Sequence, residues 1–319
     1  MTRVLLTGAT GFVGRNLGSL LAHSPYIVRA ALRAPGRPPA GIAEVAAVGD
    51  ITSQTDWSAA LADVDTVIHA AARAHRINDT AEEPYLEVNA RGTGCLARAA
   101  ARAGVRRFIY LSSIKVNGEG LPDRPYRAGD PPRPGDAYAS SKQLGEQYLQ
   151  EVVAATAMQG VVVRAPLVYG PGVKGNFLRL LRWVQTGRPL PLGGIHNVRS
   201  LVNVWNLCDL LRLLMEHPLA AGRTWMVSDG EDLSTPELVR RMARAMGRPA
   251  RLLAVPRPLL TVVARLTGAS AEFARLCGSL TVDISATRGE LGWTPPVALS
   301  AGMARTVDWY LTQGQARGS

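Results

Sequence analysis

Tyr138 and Lys142 stand four residues apart in Tyr-Ala-Ser-Ser-Lys, a spacing that puts both side chains on one face of a helix. An ammonium beside a phenol favours the phenolate, so the pair predicts a tyrosine whose pKa falls from about 10 towards neutrality. Such a tyrosine can exchange a proton with a sugar hydroxyl while a hydride passes to or from a nicotinamide. Upstream, Leu111-Ser112-Ser113 closes an apolar run and brings two hydroxyls to a strand end, where open α/β sheets meet their ligands. Three of the 36 basic residues are lysine: Lys115, Lys142 and Lys174. A lysine kept in so arginine-rich a chain points to a need for its compact, tunable ammonium.

A second constellation opens the chain. Val4-Leu5-Leu6 runs directly into Thr7-Gly8-Ala9-Thr10-Gly11-Phe12-Val13-Gly14, which reads as strand, glycine loop and helix start. Glycines at 8 and 11 let the backbone turn tightly and approach a pyrophosphate. Gly14 lets the helix pack on the strand, and free N–H groups at the helix N-terminus favour an anion. The loop therefore predicts a dinucleotide site formed by Gly8, Thr10, Gly11, Phe12, Val13 and Gly14. An acid at the end of the second strand would hold the ribose 2′-hydroxyl of NAD. The chain reads Val28-Arg29-Ala30-Ala31-Leu32-Arg33 there, so Arg33 is placed to accept a 2′-phosphate and NADP(H) is the preferred cofactor. Asp50-Ile51 follows the third strand, with the carboxylate expected at the adenine edge.

These residues need a scaffold, and the apolar pattern supplies one. Short apolar runs at 4–6, 27–32, 45–48, 64–69, 108–111 and 161–163 alternate with Ala/Leu/Arg-rich helical stretches. Fully apolar strands separated by helices predict βαβ units and a doubly wound parallel sheet covered on both faces. Beyond Arg164 the pattern is less regular, with a helix start at Ser234-Thr235-Pro236-Glu237. The length of 319 residues suggests two domains at roughly 150 residues each. With 47% hydrophobic and 19% charged residues the chain is not a disordered one. The charge of +11 raises a polyanionic partner, but the basic residues are dispersed and aromatics are 6%, which argues against nucleic acid. No apolar run reaches the ~20 residues of a membrane span, and Met-Thr-Arg-Val-Leu-Leu lacks the apolar core of a signal peptide, so a cytoplasmic protein is expected. The stretch 252–266, broken by Pro256, Arg257, Pro258 and Arg265, reads as a core or interface helix rather than a membrane anchor. Cys95, Cys208 and Cys277 show no metal-ligand spacing, so neither a metal site nor a disulfide framework is expected.

Taken in order, Thr7-Gly-x-x-Gly-x-x-Gly14, Asp50-Ile51, His69-Ala70-Ala71-Ala72, Ser112-Ser113, Tyr138-x-x-x-Lys142, Arg164-x-Pro-x-Val-Tyr-Gly-Pro171 and Leu291-Gly-Trp-Thr-Pro295 span nearly the whole chain. They resemble the extended short-chain dehydrogenase/reductases, specifically the nucleotide-sugar epimerase/dehydratase/reductase family. The resemblance implies an NAD(P)-binding Rossmann domain over 1–168, with 198–220 returning to it. A smaller α/β nucleotide-sugar domain would comprise 169–197 and 221–319. It implies that Ser113 polarises the reacting oxygen, Tyr138 is the acid/base, and Lys142 holds the nicotinamide ribose while tuning Tyr138. His69, Ala70, Ala71 and Pro166 would lie along the cofactor, NADP(H) or NAD(H), with His69 a packed loop residue rather than a proton-transfer group. For a UDP-sugar substrate it implies Asn176 donating to a phosphate, Phe177 beside it, Arg199 pairing with the diphosphate, Arg275 as a further phosphate contact and Lys115 facing the sugar. Leu167 departs from the asparagine many relatives carry. A homodimer is implied through a four-helix interface made by the helix around 85–103 and the one carrying Tyr138.

The branch of the family is less plain. Dehydratases carry an Asp-Glu pair directly after the catalytic hydroxyl residue; Ile114 and Lys115 stand here, so dehydration is not expected. Ser112-Ser-Ile-Lys-Val-Asn-Gly-Glu119, Ile195-His-Asn197 and Ser228-Asp-Gly-Glu-Asp-Leu-Ser-Thr235 resemble a bacterial surface-polysaccharide (O-antigen) subgroup. Its members look like C4 reductases of UDP-4-keto-6-deoxy-N-acetylhexosamines, often labelled UDP-glucose 4-epimerases. The missing strand-end acid and Asn117, in place of a tyrosine, favour C4 reduction. The alternative is a UDP-glucose or UDP-N-acetylglucosamine 4-epimerase with bound NAD. A non-catalytic NADP(H)-binding sensor is a third reading, weakened by the presence of both Tyr138 and Lys142.

Overall fold

A computed structural model describes residues 1–74, 81–120, 124–268 and 270–315. Its strands are β1 (Thr2–Thr7), β2 (Tyr26–Leu32), β3 (Glu44–Ala47), β4 (Thr66–His69), β5 (Arg107–Ser113), β6 (Gln159–Ala165), β7 (Leu167–Tyr169), β8 (Arg199–Asn203), β9 (Arg223–Met226) and β10 (Asp232–Leu233). Among the described residues, seven form one sheet in the order β3-β2-β1-β4-β5-β6-β9, and every pairing in it is parallel. This is the doubly wound Rossmann-type α/β fold that the alternation predicts.

The apolar runs are continuous because both faces of the sheet are covered. Val4, Leu6, Ile68, Ile109, Val161 and Val163 point to one side, where Leu17, Leu21, Leu207 and Leu211 of the helices Phe12–Leu21 and Val204–Leu214 meet them. Leu5, Val67, Phe108, Tyr110 and Val162 point to the other, against Leu96, Ala100, Leu149 and Val152 of the helices Gly92–Arg102 and Ala137–Ala154. Successive strand residues alternate faces, and each such burial contributes on the order of 1.5–3 kcal/mol.

Strand order reverses between β1 and β4, whose ends Thr7 and His69 are in register. At such a switch point the loops after the strands diverge and leave a crevice. Pro166 ends β6, and the chain passes at once into β7, part of a separate sheet ordered β10-β8-β7. Proline has no N–H for a ladder, which suits it to this transfer between sheets. Around the small sheet Phe177, Leu181, Val239, Met242, Met303 and Val307 form a second core. Ser234 caps the helix Thr235–Ala245 by accepting from the Glu237 N–H at 3.2 Å, as its sequence predicts. The closing signature is structural: Trp293 enters the first core and donates to Asp209 at 2.9 Å.

Of the two readings of 252–266, a core helix or an interface helix, the first is corrected. A helix does form, Arg257–Leu266, but it lies on the surface with Leu259, Val262, Val263 and Leu266 exposed. Among the described residues no helix is long and apolar enough to cross a membrane.

Candidate active site

The glycine loop sits at the sheet's switch point. Gly11 donates to the Gly8 carbonyl at 2.8 Å, closing the turn. Gly8 holds φ +72°, and a Cβ there would come within 2.7 Å of the Ala71 nitrogen. A Cβ on Gly14 would lie 2.1 Å from the Gly8 carbonyl oxygen. Side chains at either position would push the loop off Ala70-Ala71 or the helix off the loop. Gly11 is the N-cap of the helix Phe12–Leu21 and offers no side chain to its first-turn N–H groups, which suits a phosphate. Thr10 is exposed beside it, with Phe12 and Val13 half-buried. The loop therefore fits a pyrophosphate group.

At the end of β2, Arg33 pairs with Asp50 at 2.7 Å, both largely exposed. The carboxylate expected at the adenine edge is thus held by the arginine expected to take a 2′-phosphate. Ile51 packs with the core below the sheet.

Ser113 ends β5 opposite Ala165, and its hydroxyl acts on the Tyr138 phenol, drawing its pKa down. Tyr138 opens the helix Ala137–Ala154, which Asp136 caps by accepting from the Ala139 N–H at 2.8 Å. Burial pushes the Tyr138 phenol up to about 12, with the Ser113 hydroxyl opposing and Asp136 adding to the rise. The sequence argument expected the reverse, and the reason is where Lys142 goes. Its ammonium lies 4.0 Å above the Tyr110 ring, and burial brings it down to about 7 despite the favourable field of Glu146.

Beneath this pair lies a buried polar layer. Arg164 clamps Glu146 through two bonds, Nε to Oε1 at 3.0 Å and Nη2 to Oε2 at 2.6 Å. Ser112 donates to the same Oε1, and Asn117 accepts from Arg164 at 3.0 Å. His69 is packed beneath the glycine loop. Both ring nitrogens are engaged, by Thr7 at 2.7 Å and Thr93 at 3.0 Å, and burial, helped by Lys142, lowers its pKa to about 3. It is a neutral brace under the loop.

Two residues here escaped the sequence reading. Asn89 lies in a π-helical turn, Leu86–Arg91, and such turns often mark functional sites. Its side chain accepts from the Arg73 N–H at 2.8 Å and donates to Ser141 at 3.0 Å, tying the segment after β4 to the helix of Tyr138. Only the tertiary fold brings those partners together. Glu146 carried a legible signal, one further helical step of four beyond Lys142 on the same face.

A cavity of about 370 Å³ opens from Ser113. Lys115, Pro166, Asn176, Phe177 and Arg199 all line it, so four of the five expected substrate contacts converge. The fifth, Arg275, has its side chain outside the described residues. Lys115 is held by Asp136 and, at 2.9 Å, Glu119. Arg199 donates to the Gly278 carbonyl at 3.0 Å, and burial lowers its pKa. Phe177 stacks on Tyr169 at 5.2 Å, so it shapes the wall from the core. Leu167 lines the cavity as well. Among the described residues no cluster could hold a metal ion.

A dinucleotide loop, a Ser-Tyr-Lys set and an adjoining cavity define an extended short-chain dehydrogenase/reductase. The model of the NAD dependent epimerase/dehydratase family matches residues 4–228, and the chain belongs to that family. It is 45% identical over 314 residues to UDP-glucose 4-epimerase of Vibrio cholerae, covering 97% of this chain and 95% of that protein. It is 26% identical to N-acetyl-alpha-D-glucosaminyl-diphospho-ditrans,octacis-undecaprenol 4-epimerase of Escherichia coli O157:H7, covering 96% and 94%. The structure of MoeE5 in complex with UDP-glucose and NAD is similar at 27% identity, with a TM-score of 0.78 and 98% and 99% of the two chains covered.

Proposed function

We propose that the protein is a UDP-sugar 4-epimerase using NAD. The observation that carries this reading is the cavity that opens from Ser113, whose hydroxyl acts on Tyr138, and that also gathers Lys115, Asn176 and Arg199. The 45% identity to the Vibrio cholerae enzyme favours epimerisation over the C4 reduction expected from sequence. Both sequence arguments for reduction also lose force. Asn117 is buried and engaged with Arg164, so it makes no statement about the sugar. Asp50 brings an acid to the end of β2, where it engages Arg33; a 2′-phosphate would meet that carboxylate, which favours NAD over NADP.

The glycine loop would hold a dinucleotide, which would supply reversible hydride chemistry at C4. Tyr138 moves the proton of the C4 hydroxyl, and Ser113 donates to the same oxygen. A phenol raised to about 12 is a poor base unless positive charge stabilises its anion. Lys142, one helical turn on, is the group whose approach would supply it. Arg199 and Asn176 bind the diphosphate, with Phe177 supporting the wall. The glycine loop, Ala70, Ala71 and Pro166 line the dinucleotide. Dehydration is not part of the proposal, because Ile114 is a buried aliphatic and Lys115 is a cation already paired with two carboxylates. The reading also includes two domains, with the boundaries expected from sequence corrected: β9, Arg223–Met226, completes the large sheet and belongs with 1–168, whereas β8, Arg199–Asn203, pairs with β7 in the small sheet. It includes a homodimer through the helices Gly92–Arg102 and Ala137–Ala154, which pack side by side.

The test is incubation with UDP-glucose or UDP-N-acetylglucosamine without added reductant, followed by sugar NMR. Appearance of the C4 epimer supports the proposal. NAD(P)H oxidation by a UDP-4-keto-6-deoxy sugar, with no epimer formed, would return the assignment to a reductase.

A further inference from the structure

We propose that the face built by the helices Arg257–Leu266 and Gly175–Thr186 docks on a negatively charged bilayer. Leu259, Val262, Val263 and Leu266 stand at i, i+3, i+4 and i+7 and share one side of their helix. All four are exposed, Leu259 by 56% and Leu266 by 82%. The opposite side anchors the helix, with Leu260 packed on the second core and Ala264 buried. Leu253, just upstream, and Trp183, on the neighbouring helix, are exposed as well. A contiguous aliphatic face of this kind marks an interaction site. Between the two helices runs a groove of about 250 Å³. Asn176, Leu180 and Leu276 line both this groove and the sugar cavity, so docking would bring the cavity's edge to the headgroups.

Charge selects the occupant. No aspartate or glutamate occurs between Lys174 and Cys208, or between Gly247 and Ser270. The same segments carry Arg179, Arg182, Arg188, Arg248, Arg251 and Arg265, all exposed. The fold gathers the segments: Arg248 donates to the Gln185 carbonyl at 2.7 Å, and Leu190 pairs through its backbone with Arg251 and Leu253. An aliphatic helix face bordered by one sign of charge suits an anionic interface. Its side chains enter the acyl boundary while guanidinium groups meet lipid phosphates. A second copy would fit badly, since a two-fold contact sets the same arginines against each other.

Full-length protein would be sedimented with vesicles of phosphatidylcholine alone and of phosphatidylcholine with phosphatidylglycerol. Binding is expected only to the anionic vesicles and should weaken with salt. Leu259→Asp/Leu266→Asp should lower partition at least about tenfold, and Arg251→Glu/Arg265→Glu by a similar factor. Both variants should keep the wild-type melting temperature and solution activity. Equal binding to both vesicle types, no binding to either, or wild-type partition of the aspartate variant overturns the proposal. So does a concentration-dependent dimer that the aspartate variant dissociates, which would assign the face to self-association.

Discussion

Arg164→Met removes the cation that clamps Glu146 beneath the active-site helix. Both side chains are buried, Arg164 at 5% exposure and Glu146 at 3%. Glu146 would keep the Ser112 hydroxyl but lose two charge-assisted bonds, and Asn117 would lose its donor. Breaking a buried pair by removing one partner costs about 3–5 kcal/mol. Unfolding entropy of ~2.1 cal/mol/K per residue amounts to ~0.7 kcal/mol/K for a chain of this length, so Tm should fall by roughly 5–7 °C. Glu146→Gln, which retains an acceptor, should cost less. Arg164→Met/Glu146→Leu should recover much of the loss, because replacing both partners by apolar groups is often close to neutral. The assay is thermal unfolding of the parent, Arg164→Met, Glu146→Leu and Arg164→Met/Glu146→Leu as a double-mutant cycle, with a coupling of at least about 2 kcal/mol expected. A drop below about 2 °C for Arg164→Met, or additivity of the two changes, would refute the view that this pair fixes the helix.

Tyr138→Phe should lower turnover by at least about 100-fold with NAD binding, followed by calorimetry, unchanged. Gly14→Ala places a Cβ 2.1 Å from the Gly8 carbonyl oxygen and should both lower Tm and weaken NAD binding at least about tenfold; ordinary binding would show that the loop does not hold the pyrophosphate. Lys142 falls from 10.5 to about 7 on folding, so between those values the unfolded chain binds more protons and stability rises with pH. Lys142→Met should be inactive, flatten that rise in urea titrations, and be more stable than the parent near pH 7; an unchanged pH slope would contradict the burial of the charge.

The sheet was readable because its central strands carry apolar runs and most of its crossovers are helical. Those patterns depend on local periodicity and two-sided burial, which the residue order carries directly. The glycine loop was readable for a related reason, since the need for a missing Cβ is written in the residue type. Ser113 and the four cavity residues were named from family motifs, and the fold brings them to one cavity.

Electrostatics was not readable in this way. Tyr138 and Lys142 share a helix face, yet the direction of the tyrosine's shift depends on burial and on Tyr110 and Glu146, which hold the ammonium. Arg33 and Asp50 are 17 positions apart in the chain, and only the pairing of β2 with β3 lets one occupy the other. The bracing roles of His69 and Asn117 depend on partners from other strands and helices, and the residue type of Asn117 alone misdirected the reading. The same holds for the arginines. Residue order shows them dispersed, while the fold draws two acid-free segments around one exposed aliphatic helix. Local pattern determined which elements form and where the reactive side chains emerge. Only tertiary packing decided which charges are dry, paired or facing water, because a charge's energy depends on everything around it in space.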